Sequence, residues 1–237
     1  MGRTYARPNQ LVPLNHSSLK VIVLDFDGTL VDSNHIKDQA FNTIFSDWPE
    51  HKEAMMEWHL ARNTIERREK FRYFVEKVLD MPGNDKLISN LTDRFSKLTK
   101  KLIIESPLVE GVLEFLDYFH HKTSLFVVSA TPQKELYEIT LAKGLYKFFK
   151  HVYGAPINKT ETIKNIQSVE NVEINEMLYI GDSPEDQQTA IDVGIHFVAR
   201  RSDRTLHDMT DLIFEDMNSI LYHLKLGNIH NTALKML

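Results

Sequence analysis

The chain has 237 residues, of which 42% are hydrophobic and 26% are charged, a composition typical of globular proteins. Its formal net charge of -5 argues against nonspecific nucleic-acid binding, which needs an excess of basic residues. The absence of cysteine excludes disulfide bonds and thiolate metal sites. No apolar stretch is long enough to span a membrane, and MGRTYARPNQLVPLNHSS lacks the apolar core of a signal peptide, so we expect a cytoplasmic location.

The first predicted element is a strand in VIVLDFDGTLVDSN. Its apolar run, Val21–Leu24, is typical of a strand that is buried on both faces of a parallel sheet. Side chains alternate along a strand, so Asp25 and Asp27 point roughly the same way. Gly28–Thr29 then predicts a tight turn at the carboxyl end of the strand, where a doubly wound sheet binds its ligands. Because two close carboxylates repel each other and are costly to bury, this pair predicts a functional site.

The next segment, residues 33–106, is predicted to be helical throughout, because its apolar residues recur at helical spacing. Its clearest internal turn is MPGND, Met81–Asp85. An all-helical insert after the first strand predicts two domains, an α/β core of residues 1–32 and 107–237 and a helical cap of residues 33–106. The two chain crossings between these domains would allow the cap to hinge as a lid.

From residue 111 onward, short apolar runs alternate with helical patterns, which predicts a parallel α/β sheet. The predicted strands of this part are Leu125–Val128, His151–Tyr153, Met177–Ile180 and His196–Ala199. Thr131–Pro132 and Ser183–Pro184 each predict a helix N-cap followed by proline at the first helical position. Gly144 and Gly194 stand where helices end. The predicted fold class is therefore α/β, with a doubly wound, Rossmann-like parallel sheet and an inserted all-helical cap domain.

Four polar signals lie at predicted strand ends or helix starts. They are the Asp25–Asp27 pair, Ser129 at the end of LFVVS, Lys159 ahead of a helix in GAPINKTET, and Asp182 with Asp186 in GDSPED. In this order, and with a helical insert after the first signal, the sequence resembles the haloacid dehalogenase superfamily of phosphotransferases. The resemblance spans most of the chain and is to members with a helical C1-type cap, such as phosphoglycolate phosphatases and β-phosphoglucomutases.

The resemblance implies a role for each aspartate. Asp25 would be the nucleophile that forms an aspartyl-phosphate, and it would also bind a metal ion. Asp27 would be the general acid and base, and its backbone carbonyl would complete the metal site. Asp182 would be the other carboxylate ligand, and Asp186 an outer carboxylate that orients the ligands. Because these carboxylates face a phosphate dianion, a cation is required, and oxygen ligands without a histidine cluster favour Mg²⁺.

Ser129 and Lys159 would bind the phosphoryl oxygens by hydrogen bond and charge, as the resemblance implies. Each is a weak signal by itself, since serine often ends a strand and most lysines are solvated at the surface. Lys150 and Lys164 are nearby alternatives. Lys164 falls inside the predicted helix whereas Lys159 precedes it, which favours Lys159.

The residue two positions after the nucleophile separates the reactions of the family. Its phosphatases and phosphomutases carry aspartate there, as Asp27 does here, whereas its transport ATPases carry threonine and its dehalogenases lack this acid. The chemistry agrees, because an alkoxide leaving group needs a proton. We therefore expect a Mg²⁺-dependent phosphatase that acts on a small phosphorylated metabolite, a sugar phosphate or a phosphoglycolate-like compound. A phosphomutase of the β-phosphoglucomutase type is the alternative, since the acceptor depends on how well the closed cap excludes water.

Two alternatives belong to another class of protein. A receiver domain also combines acidic residues, a serine or threonine and a lysine in a doubly wound fold. Receivers are short, however, lack a helical insertion, and carry the phospho-accepting aspartate on a later strand. The other alternative is a catalytically idle family member that serves as a binding module. The presence of all the motif residues argues against this alternative.

The insert contains a charged residue at the centre of an apolar stripe. On a helical wheel, Arg67 shares a narrow stripe with Phe71, Phe74 and Val78, and Lys70 lies beside it. One interpretation is an arginine that reaches solvent from the end of the stripe or pairs within the cap. The other is that Arg67, with Lys70, binds an anionic or hydroxylated substrate when the lid closes.

If Arg67 binds substrate, replacing it with alanine is expected to raise KM or lower kcat on the physiological substrate. A generic aryl phosphate should be spared, because it lacks the group that Arg67 would contact. Steady-state kinetics on the two substrates measures the difference. Equal losses on both would count against a role in recognition.

Overall fold

The structure is a computed structural model of the chain, and it describes residues 16–62, 65–202 and 212–227. Residues 1–15 lie outside the described residues. They make up most of the N-terminal segment for which the sequence analysis predicts no signal peptide. Within the described ranges, no helix combines the length and the apolar content that crossing a membrane requires.

Outside the predicted insert, strands and helices alternate along the described residues from β1 to β5. The strands are β1 (Val21–Leu24), β2 (Ser124–Pro132), β3 (His151–Ala155), β4 (Met177–Gly181), β5 (His196–Arg200) and β6 (Ile213–Phe214). The α-helices are α1 (Asn34–Phe45), α2 (Pro49–Leu60), α3 (Arg67–Tyr73), α4 (Asp85–Glu105), α5 (Val112–Phe119), α6 (Gln133–Ala142), α7 (Lys159–Glu170), α8 (Pro184–Val193) and α9 (Met217–Leu226). Every strand predicted from an apolar run is present, and β6, with two residues, is too short to show a pattern in the sequence.

The strands of the described residues form one parallel sheet in the order β3-β2-β1-β4-β5-β6. The central strand β1 pairs with β2 on one side and with β4 on the other. All of its side chains are buried, as a central parallel strand flanked by helices requires. The predicted class, a doubly wound parallel sheet, is confirmed.

The packing on one face of the sheet indicates which way Asp25, at the end of β1, points. Val21 and Val23 pack in one buried cluster with Ile163 of α7 and Ala190 of α8. Because side chains alternate along a strand, Asp25 extends the same face of β1. The helices that cover this face, α7 and α8, begin near the carboxyl edge of the sheet, so their first residues can meet Asp25.

The described residues divide into two compact units. Residues up to Asp32 and from Pro107 onward form the first, here called the core unit, and Ser33–Ser106 forms the second, here called the insert unit. The insert unit is helical, and its helices enclose a cluster of aromatic rings. The rings of that cluster belong to Phe41, Phe45, Phe71, Phe74 and Phe95, with centroids 4.4–6.2 Å apart in the contacting pairs.

The apolar stripe predicted for the insert is confirmed at Phe71 and Phe74, which are fully buried, and Val78 packs against the same cluster while partly exposed. Helix α3 continues into a π-helical turn, Phe74–Val78, in which the Leu79 N–H donates to the carbonyl of Phe74 at 2.9 Å. A π turn has more residues per turn than an α-helix, so a wheel drawn at 100° per residue does not describe the chain beyond Tyr73. Val75, which an α-helical wheel places close to Phe71, is also fully buried.

The N-cap predicted at Thr131 for the helix after β2 is wrong. Helix α6 begins at Gln133 and its N-cap is Pro132, whose side chain makes no capping hydrogen bond. Strand β2 instead runs on through Pro132, after an irregularity in its pairing with β3 between Val128 and Pro132. Ser129 and Thr131 therefore lie within the last part of a strand and not in a turn after it.

Helix α7 begins one residue earlier than the sequence predicts. Asn158 is its N-cap, with Oδ1 accepting the Glu161 N–H at 3.0 Å, and Lys159 is its first residue. The prediction that Lys159 precedes the helix is thus wrong by one position. The N-cap predicted at Ser183, by contrast, is confirmed, with Pro184 as the first residue of α8.

Leu91 and Leu60 offer a matched test of the core of the insert unit. Leu91 is 2% exposed in the aromatic cluster, whereas Leu60, at the end of α2, is 50% exposed. Leu91→Ala is expected to lower the free energy of unfolding by about 2–5 kcal/mol, because it leaves a cavity. Leu60→Ala should change it by about 0.5 kcal/mol or less. Urea denaturation measures both, and equal effects would contradict this description of the core.

Candidate active site

Polar side chains from three neighbouring strands and two helix starts meet at the carboxyl edge of the sheet. Asp25 and Asp182 directly follow β1 and β4, and Ser129 lies near the end of β2. Lys159 and Asp186 lie in the first turns of α7 and α8. Carboxyl ends of parallel strands share one edge, which is why residues distant in sequence are neighbours here.

Three carboxylates form a buried cluster at this edge. Asp25, Asp182 and Asp186 each offer an oxygen, and these atoms all lie within 4.8 Å of one another. Burial raises the pKa of Asp25 to about 8 against the opposing charge of Lys159, and the nearby carboxylates act in the same direction as burial. The cluster therefore needs positive charge if all three groups are to be ionised.

Lys159 supplies positive charge to the cluster. Its Nζ donates to Oδ1 of Asp25 at 2.8 Å and to Oδ1 of Asp186 at 2.7 Å. Burial by itself would lower the pKa of Lys159, but Asp25, Tyr179 and Asp186 hold it well above its usual range. The ammonium group thus stays charged and ties β1 to the start of α8.

Asp186 is fixed by its own hydrogen bonds. Its Oδ1 accepts from the Tyr179 hydroxyl at 2.6 Å as well as from Lys159, and its Oδ2 accepts from the Ser183 hydroxyl at 2.6 Å and the Ser183 N–H at 3.1 Å. Burial would raise its pKa, but these donors together lower it. Gly181 permits this close packing, since a Cβ at that position would lie 2.5 Å from the Cβ of Asp186.

The cluster suits a hard divalent cation. Its donors are carboxylate oxygens alone, which Mg²⁺ prefers, and Mg²⁺ is commonly held by one or two protein carboxylates. Both oxygens of Asp186 already accept hydrogen bonds, which leaves Asp25 and Asp182 as the side chains better placed to bind an ion directly. A cation there would also relieve the repulsion that raises the pKa of Asp25.

Asp27 is hydrogen-bonded on the side of the site formed by β2. Its Oδ2 accepts from the Thr131 hydroxyl at 2.8 Å, and both residues are buried. The N–H of Thr131 in turn donates to Oγ of Ser129 at 3.1 Å. The turn after Asp27 is the predicted one, with Gly28 at φ 79° and its N–H donating to the carbonyl of Val31 at 2.8 Å.

Sequence reasoning missed three residues of this site. Thr131 was interpreted as a cap, although a hydroxyl two residues after Ser129 in a strand would share its face. Tyr179 appeared only as an apolar strand residue. Arg200, whose Nη1 donates to the Gly28 carbonyl at 3.0 Å, lies 172 residues from its partner and gives no local signal.

The two basic residues predicted for the insert unit make their described contacts within that unit. Nη1 of Arg67 donates to the Ser96 hydroxyl at 2.7 Å. Lys70 is buried, with Nζ donating to Nδ1 of His59 at 2.7 Å, while Nε2 of His59 donates to Asp38 at 2.8 Å. Burial lowers the pKa of Lys70 to about 8. That either residue contacts a substrate stays a prediction.

A model of the haloacid dehalogenase-like hydrolases matches residues 22–200 of the chain. No curated protein matches the chain in sequence. The match spans the first strand, the insert unit and the remaining strands up to β5, and it agrees with the resemblance and the enzyme class inferred from the motifs.

Solved structures share the fold at low sequence identity. A predicted phosphoglycolate phosphatase from Haemophilus somnus is 20% identical, with a TM-score of 0.65, over 86% of this chain and 97% of its own. A Thermotoga maritima protein described as a β-phosphoglucomutase is 19% identical, with a TM-score of 0.67, over 88% and 99%. YfnB from Bacillus subtilis, described as a HAD-hydrolase and bound to magnesium, is 15% identical, with a TM-score of 0.64, over 87% and 98%.

Lys159 and Lys164 make a matched pair for testing the charge balance of the site. The side chain of Lys159 is 11% exposed and lies among carboxylates, whereas Lys164 is exposed on the same helix. Lys159→Met is expected to lower the free energy of unfolding by about 3 kcal/mol in metal-free buffer, because it leaves buried carboxylates uncompensated. Lys164→Met should leave stability unchanged. Urea denaturation in the presence of a chelator measures both, and a stable Lys159→Met protein would refute this charge balance.

Proposed function

The chain belongs to the haloacid dehalogenase-like hydrolase family, and we propose that it is a Mg²⁺-dependent phosphatase that hydrolyses a small phosphomonoester through an aspartyl-phosphate. The observation that carries the proposal is the buried cluster of Asp25, Asp182 and Asp186 together with the Lys159 ammonium, which bridges Asp25 and Asp186. With a divalent cation bound, such an arrangement would neutralise a transferred phosphoryl group and hold a nucleophile beside it, which is most of what phosphoryl transfer requires of a protein.

In the proposed reaction, a carboxylate oxygen of Asp25 attacks phosphorus and the bond from phosphorus to the ester oxygen breaks. Asp27 gives its proton to the departing alkoxide. Asp27 then takes a proton from water, whose oxygen attacks the phosphorus of the aspartyl-phosphate. The bond between phosphorus and Asp25 breaks, which releases inorganic phosphate and restores both carboxyl groups to their starting states.

Asp25 and Asp182 are the side chains that would hold the metal ion, with the backbone carbonyl of Asp27 completing the site. Bound Mg²⁺ would neutralise charge on the carboxylates and on the phosphoryl oxygens. Asp186 would orient the ligands through its bonds to Lys159 and Ser183. The likeness in fold to a magnesium-bound hydrolase is compatible with this choice of ion.

Ser129 and Lys159 would bind the phosphoryl oxygens, the first by its hydroxyl and the second by its charge. We further propose that Ser33–Ser106 serves as a cap that encloses the substrate, with Arg67 and Lys70 as its contact residues. The likeness to a predicted phosphoglycolate phosphatase favours a small phosphorylated metabolite as the substrate.

A phosphomutase is the second candidate function, favoured by the likeness in fold to a protein described as a β-phosphoglucomutase. In that reaction the phosphoryl group on Asp25 passes to a sugar hydroxyl instead of to water. Isomerisation of a sugar phosphate without release of inorganic phosphate would identify it.

The proposal is tested by measuring phosphate release from sugar phosphates, phosphoglycolate and nucleotides, with Mg²⁺ and with a chelator. We expect release from at least one small phosphomonoester that requires the ion, because the carboxylates and the phosphate dianion otherwise repel each other. Asp25→Asn has nearly the same shape but is a poor nucleophile, and its rate should fall at least about a thousandfold.

Activity that survives in Asp25→Asn would overturn the assignment of the nucleophile. Thermal denaturation with and without Mg²⁺ provides a readout that does not depend on turnover. Mg²⁺ should raise Tm of the wild type, since a ligand that binds only the folded state stabilises it, and should raise it less in Asp182→Asn.

A further inference from the structure

We propose that Thr131 is a positioning residue that fixes the acid–base group Asp27 and the phosphate-binding group Ser129 relative to each other. This inference rests on the proposed function and adds to it a requirement for proton delivery. The observation behind it is that Thr131 donates two hydrogen bonds, one from its hydroxyl to Asp27 and one from its backbone N–H to Ser129.

The hydroxyl of Thr131 orients the carboxylate of Asp27. Oγ1 of Thr131 lies 2.8 Å from Oδ2 of Asp27, and the two residues are 4% and 5% exposed. An ionised carboxylate only accepts hydrogen bonds, so the hydroxyl is the donor in that state. One oxygen of Asp27 is thereby held against β2, and the rotation of the carboxyl group is restricted.

The backbone of Thr131 orients the hydroxyl of Ser129. The Thr131 N–H donates to Oγ of Ser129 at 3.1 Å, and Ser129 is 1% exposed. Because a hydroxyl has one hydrogen and two lone pairs, an N–H that occupies one lone pair leaves the hydrogen to be donated elsewhere. Ser129 is thus prepared to donate to a phosphoryl oxygen.

The backbone of Thr131 packs against β3, which fixes the place from which it serves both partners. The regular pairing of β2 with β3 is interrupted between Val128 and Pro132, which directs the Thr131 N–H to a side chain. The carbonyl of Thr131 packs so closely on Gly154 of β3 that a Cβ there would lie 2.6 Å from it. A side chain on such a support holds its partners more closely than one on a loop.

This geometry predicts a loss that depends on the leaving group. If Thr131 positions the acid, its hydroxyl matters for an alkyl phosphate, whose alkoxide must be protonated as it leaves, and matters little for p-nitrophenyl phosphate, whose phenolate leaves without a proton. A merely structural role would affect the two substrates alike. The quantity to compare is kcat/KM, which reports the steps up to formation of the aspartyl-phosphate.

The experiment measures kcat/KM on glycerol 2-phosphate and on p-nitrophenyl phosphate for the wild type and for substituted enzymes. Thr131→Val keeps the shape and removes the hydroxyl, and we expect it to lose about tenfold on the alkyl phosphate and about twofold or less on the aryl phosphate. Thr131→Ala, a second variant without the hydroxyl, should show the same contrast. Thr131→Ser keeps the hydroxyl and should restore the alkyl activity.

Ser129→Ala is the matched comparison, because it removes a phosphoryl contact common to both substrates and should lower both rates alike. Equal losses on the two substrates in Thr131→Val, or a loss in Thr131→Ser as large as in Thr131→Val, would overturn the role of Thr131 and leave the proposed function standing. If glycerol 2-phosphate is not a substrate, the small alkyl phosphate found by the phosphate-release screen replaces it, and a wild type that hydrolyses no phosphomonoester with Mg²⁺ would overturn both.

Discussion

The constraint on which the site depends is the compensation of buried negative charge. Asp25, Asp182 and Asp186 place carboxylate oxygens within 4.8 Å of one another in the interior of the core unit. Lys159 offsets part of this charge through bonds to two of them. One ammonium group among three carboxylates leaves net negative charge, so the electrostatics that make the site costly to build also suit it to a divalent cation.

The groups that meet this constraint lie at the ends of regular secondary structure. The carboxylates and the lysine lie at the ends of central parallel strands and at the starts of the helices that cover one face of the sheet. The Ser183 hydroxyl accepts from the Asp186 N–H and donates to the Asp186 carboxylate, so one side chain holds both the start of α8 and the charged group. Tyr179 also holds Asp186, because its ring is buried in the core and its hydroxyl donates to the Asp186 carboxylate.

The proposed acid–base group, Asp27, has hydrogen-bond partners other than those of this cluster, although it lies two residues from Asp25. Asp27 is hydrogen-bonded to Thr131 on β2, while Asp25 is bonded to Lys159 on α7. In the proposed mechanism, separating the partners of the two carboxylates would allow Asp25 to stay beside a cation while Asp27 exchanges protons. The proposed nucleophile and the proposed acid thus share a short segment of sequence and have different electrostatic surroundings.

The sequence by itself determined the elements whose signals are local. The apolar run before Asp25 fixed β1 as a buried strand, and Ser183–Pro184 fixed the start of α8, because burial and capping depend on neighbouring residues. Tertiary structure decided what depends on partners far along the chain. Thr131 donates to a residue 104 positions away, and Arg200 to one 172 positions away. Spacing along a chain carries no information about such contacts, since they form only when strands from distant segments align at one edge of the sheet.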